Sequence, residues 1–178
     1  MAKIATVPNK ILRQKSKPVE VDKKTLELVR TLRETLTDKK GKPKGVGLAA
    51  VQIGIPKRVF VAFSPASRKL LVFINPKIAW RSKRQTNKKE KRYEGCLSIP
   101  NVWATVQRPK TIKIKYQTES GQTQTRKFTA PLATVIQHEY DHLEGILFTD
   151  RALEQKAKLY ELKRDEEDKE YFEEIEIE

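Results

Sequence analysis

Apolar residues recur along this chain with two periods, and the changes of period mark out its elements. Between Lys23 and Thr37, Leu26, Val29, Leu32 or Arg33, and Leu36 fall three to four apart, which predicts one stripe of a helix packed on a core. Asp22 stands where an N-cap carboxylate would accept from the first turn. Gly41, Pro43, Gly45 and Gly47 break the pattern. Runs rich in β-branched and aromatic residues follow: Val59 to Phe63 and Leu70 to Ile74 read as strands, the second closed by Asn75-Pro76. Trp103 to Val106, Thr111 to Gln117 and Gln122 to Phe128 read likewise, the last two joined as a hairpin through Glu119-Ser120-Gly121. Helical spacing returns from Leu132 to Glu144, after Pro131 and before Gly145, with Val135, His138 and His142 on one face. A last helix is expected from Arg151 to the region of Lys163, with the chain beyond it expected to fray. Strands in the middle with helices before and after predict an α+β fold of mainly antiparallel sheet rather than alternating βαβ units.

Composition narrows the class. At 178 residues the chain suits one globular domain, and periodic apolar runs set its 38% hydrophobic and 34% charged residues apart from a disordered composition. It contains no run of eighteen apolar residues, and MAKIATVPNK lacks the apolar stretch of a secretory signal, so no membrane partner is expected and the cytoplasm is the expected address. One cysteine makes no internal disulfide. The charge is uneven: Asp165 to Glu178 carries nine acidic residues and one basic one, so the net +14 divides into −8 for this tail and +22 for the body. The densest basic stretch, Arg81 to Arg92, fits attraction to nucleic acid such as ribosomal RNA and fits a solvated loop equally well, because no aromatics interleave in it.

The chemistry concentrates in three words. The only two histidines lie in His138-Glu139-Tyr140-Asp141-His142. Random placement would give that spacing in about one case in ninety, so it asks for a reason. Residues four apart on a helix face one side within roughly 40°, which lets both imidazoles grip one ion while Glu139, about 100° round, can reach a water beside it. Two imidazoles are an incomplete set, and the third ligand must be a carboxylate or the thiolate of Cys96, the stronger candidate, in Glu94-Gly95-Cys96-Leu97-Ser98. The third word, Gly45-Val46-Gly47-Leu48-Ala49-Ala50-Val51-Gln52, allows close approach of a ligand to the backbone and offers an amide to a developing oxyanion. It serves equally as a buried turn whose glutamine satisfies nearby backbone groups.

Together, GVGLAAVQ, EGCLS and HEYDHLEG resemble the three signature stretches of the peptide deformylases, in that family's order, with a likeness running from about Ile11 through Arg108-Pro109 to about Phe148. The resemblance implies a metallohydrolase that removes the formyl group from the N-formylmethionine of nascent polypeptides and releases formate. It implies sheets packed around a central metal-binding helix, with residues 1–164 as the catalytic domain and 165–178 as an acidic tail. It implies that Cys96, His138 and His142 hold Fe(II), for which zinc, nickel or cobalt can substitute. Glu139 then moves the proton, and the side chain of Gln52 and the backbone N–H of Leu97 donate to the oxyanion. The substrate would lie extended along Val46 and Gly47, with Val46 and Val135 lining the methionine pocket. Glu94 and Arg108 would steady the Cys96 loop as an ion pair, while Asp141 either helps to orient this neighbourhood or lies at the surface. The acidic C-terminus departs from the basic terminal helix of some bacterial members, so the basic body is expected to mediate any ribosome contact. Two rivals make different demands: a zinc endopeptidase would draw a third ligand from a residue such as Glu161, and an RNA-binding protein with a structural metal would leave Gln52 and Glu139 without work.

Overall fold

The computed structural model describes residues 1–37, 44–86 and 93–175; the basic stretch is therefore described only to Thr86, and Gly41 and Pro43 lie outside the described residues. Helix α1 spans Lys23–Leu36, and the Asp22 side chain accepts from the Thr25 amide at 2.8 Å, which gives the helix its start. Its buried face is Leu28, Val29, Leu32 and Leu36. Leu26, expected on that stripe, is 39% exposed, because the face that meets the sheet runs 28, 32, 36 and leaves residue 26 on the other side.

Five strands form the first sheet: β1 (Gly47–Ala49), β2 (Val59–Ser64), β3 (Lys69–Arg81), β6 (Thr111–Gln117) and β7 (Thr123–Thr129), in the order β1-β2-β3-β6-β7 and antiparallel throughout. Strand β3 runs past Asn75-Pro76, where the sequence predicts its end. Asn75 adopts a left-handed φ of 49°, and its side chain accepts from the Val19 amide at 2.9 Å and donates to Val19 O and Gln117 Oε1, both at 2.6 Å. The irregularity between Ile74 and Lys77 thus carries the proline, and pairing to β6 resumes at Lys77.

Helix α2 (Leu132–Leu143) packs on one face of this sheet through Ala133, Ile136 and Leu143, against Phe60, Phe73, Tyr116 and Phe128. On the other face α1 covers Leu48, Val59, Val61, Val72 and Ile74. Gly145, at φ 74°, ends α2 where a Cβ would meet the Arg13 carbonyl oxygen at 2.4 Å.

A second antiparallel sheet holds β4 (Tyr93–Cys96), β5 (Ile99–Thr105), β8 (Leu159–Arg164) and β9 (Glu170–Ile175), in the order β4-β5-β8-β9. Here the expected last helix is corrected: α3 spans only Phe148–Glu154, and β8 follows, pairing Glu161 with Val102. Residues 170–175, expected to fray, form β9. The cause is tertiary, since Tyr160 and Phe172 of this hairpin pack on Tyr93 and Phe172 packs on Trp103, with the Phe172 ring stacked 4.1 Å from that of Tyr93. The architecture is α+β, with two antiparallel sheets arranged around the helix that bears both histidines.

Candidate metal centre

Strand β4 and helix α2 meet through their side chains, and each presents its chemistry by its own period. Glu94 and Cys96, two apart on a strand, share the face towards α2, whereas His138 and His142, four apart, share the helix face towards β4. Gly95 lies between Glu94 and Cys96, and a Cβ there would stand 2.7 Å from the Trp103 ring, so the glycine lets that ring lie over β4. The ligand atoms of Cys96, His138 and His142 all lie within 4.8 Å of one another, with Cys96 Sγ 3.2 Å from His142 Nε2. One thiolate and two imidazoles converging in this way fit a divalent transition metal with one position left open, the arrangement of a catalytic rather than a structural site.

A buried ionic chain supports this cluster. Glu94 Oε2 lies 3.1 Å from His138 Nδ1, and Arg108 donates to both Glu94 oxygens at 2.7 and 3.0 Å. Arg108 also donates to Asp141 Oδ2 at 2.8 Å, and Arg151 donates to both oxygens of the same carboxylate, to Oδ1 at 2.9 Å and Oδ2 at 3.2 Å. Asp141 is therefore buried and doubly paired rather than at the surface. Burial alone would push the Glu94 carboxyl up, but Arg108 and His138 outweigh it and hold it at about 2. Burial, joined by the positive charges of His138 and Arg108, pushes His142 well below the usual imidazole range. Burial opposes protonation of His138 too, yet its contacts with Cys96 and Glu94 carry it well above that range; a bound cation would take the place of that proton.

Glu139 stands beside these three candidate ligands. Its carboxylate lies against the Gly47 Cα, where a Cβ would be 2.3 Å from Oε1. Among the described residues its Oε2 is buried without a hydrogen-bond partner. Burial pushes its pKa up to about 7, against the pull of His138 and Arg108. Gln52 is held from behind, its Oε1 accepting from the Ala49 amide at 2.8 Å, so that its NH₂ faces Ser98 Oγ at 3.1 Å and Cys96 Sγ at 3.5 Å. Leu97 follows Cys96 in the turn between β4 and β5. A cleft of about 660 Å³ opens over Gln52, Cys96, His138 and Glu139, and Val46, Gly47, Leu97, Val135 and Trp103 line it. Val46 is 58% exposed there.

Comparison with known proteins decides the relationship. The profile of the polypeptide deformylase family matches residues 1–158. The chain belongs to the peptide deformylase family. Its relatives include the peptide deformylase of Bartonella tribocorum, 44% identical over 156 residues that span 84% of this chain and 83% of that one. Another is the peptide deformylase of Pseudothermotoga lettingae, 44% identical over 83% of this chain and 81% of its own. The crystal structure of a peptide deformylase from Synechococcus elongatus in complex with actinonin superposes with a TM-score of 0.75 at 36% identity, over 84% of this chain and 78% of that one. Like its family, the protein is a metal-dependent hydrolase that removes the N-terminal formyl group of nascent polypeptides.

The structure brings together every site residue singled out by the deformylase resemblance, and it does not bring Glu161 to the histidines: Glu161 lies on β8, 3.8 Å from Lys163. Sequence reasoning missed Ser98, the Glu94–His138 contact and Arg151. Strand alternation from Cys96 could have placed Glu94 beside the histidine helix, whereas nothing local marks Arg151 as a partner of Asp141.

Proposed function

We propose that Cys96, His138 and His142 hold Fe(II), and that Glu139, Gln52 and Leu97 carry out deformylation around it. The observation that carries this reading is the Glu139 carboxylate, buried against Gly47 beside the ligand cluster, with one oxygen unpartnered among the described residues and a pKa of about 7. A divalent ion bound there supplies a Lewis acid that makes a water nucleophilic near neutrality. Glu139 accepts that water's proton as the water oxygen attacks the formyl carbon, and its pKa suits a group that must take a proton and return it. The Gln52 amide and the Leu97 N–H donate to the oxygen that gains charge. When the C–N bond breaks, Glu139 passes the proton to the departing amine, and formate is left.

The edge position of β1 supports an extended substrate. Val46 O accepts from Phe63 N–H across β2, so by antiparallel alternation the Gly47 N–H and C=O point to the free side, where a peptide can add as a strand. Val46 and Val135 offer apolar walls for the methionine side chain. Glu94 and Arg108 keep the Cys96 strand and His138 oriented. The catalytic part is residues 1–164 and the acidic 165–178 lies outside it. The protein works in the cytoplasm on N-formylmethionyl chains, with its basic body meeting the ribosome; among the described residues no helix is long and apolar enough to cross a membrane.

The test is formate release from a formyl-Met tripeptide by protein purified without oxygen and loaded with Fe(II), beside Glu139→Gln and a chelator control. Release by the wild type that both controls abolish is the expected result. No release from folded, metal-replete protein would overturn the reading.

A further inference from the structure

The half of the first sheet that α1 does not cover presents an unusual face. Ile112, Ile114 and Phe128 point towards α2 and are buried, so the alternate residues Lys113 and Lys115 of β6 point the opposite way. The register sets Lys77 of β3 opposite Lys115, and sets Lys113 between Trp80 on one side and Lys127 of β7 on the other. A shift between Ile78 and Trp80 turns the indole onto this same face. Trp80 is 48% exposed there, with the Lys113 Nζ 6.0 Å from its ring centroid. Thr111, Thr125 and Thr129 complete the face by register. Among the described residues, none of the four lysines has an acidic partner.

Ordinary explanations fall short. Lysine on an edge strand blocks unwanted sheet pairing, and this accounts for Lys127 on β7. Lys113 and Lys115 lie on β6, which is paired on both sides, and Lys77 lies on β3. Like charges directly opposite each other destabilise a sheet, and this face has two such pairs, Lys77 with Lys115 and Lys113 with Lys127. Solubility alone would be served by lysines anywhere on the surface.

We infer that this face binds a single-stranded segment of RNA. The lysine rows neutralise phosphates, the exposed Trp80 ring stacks on a base, and the threonine hydroxyls reach sugar and phosphate oxygens. An acidic protein would leave the indole without work, and a lipid surface would ask for more apolar residues than one. The face lies on the side of the sheet away from α2, so RNA can be held without entering the cleft. The inference deepens the ribosomal reading above and rests on it for the source of the RNA; the binding itself does not depend on deformylation.

The test uses the full chain, metal-loaded, with a fluorescein-labelled 12-nucleotide single-stranded RNA read by anisotropy from 50 to 200 mM KCl. Replacing Lys77, Lys113, Lys115 and Lys127 by Gln is expected to flatten the slope of log affinity against log salt by about 3, from roughly 0.7 per phosphate contact. The control with Lys3, Lys10, Lys57 and Lys69 replaced by Gln has the same net charge and should keep the wild-type slope. Trp80→Ala should weaken binding on the order of tenfold with the slope unchanged. The quadruple face variant should fold at least as well as wild type, since it removes repulsion, and should release formate from the tripeptide normally. Equal weakening by the two quadruple variants would overturn the inference. So would tighter dependence on these lysines for phosphatidylserine vesicles or a polyglutamate peptide than for RNA. Formate release measured in parallel separates the two readings, since loss of one function in wild type leaves the other assay intact.

Discussion

Replacing Arg108 by Met removes the centre of the buried ionic chain while keeping most of its volume. Three charge-assisted hydrogen bonds disappear, two to Glu94 at 2.7 and 3.0 Å and one to Asp141 at 2.8 Å. Asp141 keeps Arg151, but Glu94, whose side chain is only 10% exposed, keeps only His138. Holding the Glu94 carboxyl at about 2 rather than 4.5 corresponds to roughly 3 kcal/mol at neutral pH. That agrees with the roughly 3–5 kcal/mol lost when one partner of a buried pair is removed. For a chain of this size the variant should therefore melt about 10 °C lower at pH 7. The sign with pH follows from a depressed carboxyl: the stabilisation is complete above 4.5 and is lost as pH falls from there through about 2. Urea unfolding of the metal-free proteins at pH 7 and pH 3 should show a wide gap between wild type and variant at the first and a narrower one at the second. Metal affinity should fall roughly 10–100-fold, because Glu94 no longer fixes the His138 ring. A gap below about 1 kcal/mol at pH 7, or one that does not change with pH, would refute the reasoning.

Other expectations concern the cleft and the hairpin. Glu139→Gln should lower kcat about 10²–10⁴-fold while the bound metal, measured by elemental analysis, stays stoichiometric, and its melting temperature should equal or exceed that of wild type because a buried carboxyl with an unpartnered oxygen among the described residues is gone. Gly47→Ala places a Cβ 2.3 Å from Glu139 Oε1, so it should depress kcat by moving that carboxylate while Cys96 and the histidines still bind metal. Truncation after Lys158 removes β8 and β9, uncovers Tyr93 and Trp103, and should lower the melting temperature and loosen metal retention through β4; calorimetry and chelator competition would check both.

Much of this protein was legible before any tertiary information, for reasons that can be named. The α1 start at Asp22, the β6–β7 hairpin at Gly121 and the α2 end at Gly145 are local: a capping carboxylate and glycines at φ 79° and 74° act through their own neighbours. The two histidines one turn apart are local as well, since helical geometry alone brings them to one side. Ligand chemistry made Cys96 the stronger candidate for a third ligand and the family resemblance assigned it, but its approach to His142 spans 46 residues and follows from no periodicity.

The rest needed the fold. A hydrophobic stripe does not say which of Leu26 and Leu28 meets the sheet. The Asn75-Pro76 stop signal lost to side-chain bonds from Asn75 to Val19 and Gln117, residues far away in sequence. Segment 159–175 became a strand pair because β5 offered it an edge and Tyr93 and Trp103 offered it aromatic faces. Glu139 acquires its pKa of about 7 from burial in the folded chain, with the Glu94 charge adding to it, and Glu94 its value of about 2 from Arg108 and His138. Residue types and local spacing fix which groups can do chemistry; desolvation and long-range pairing decide which of them are tuned to do it.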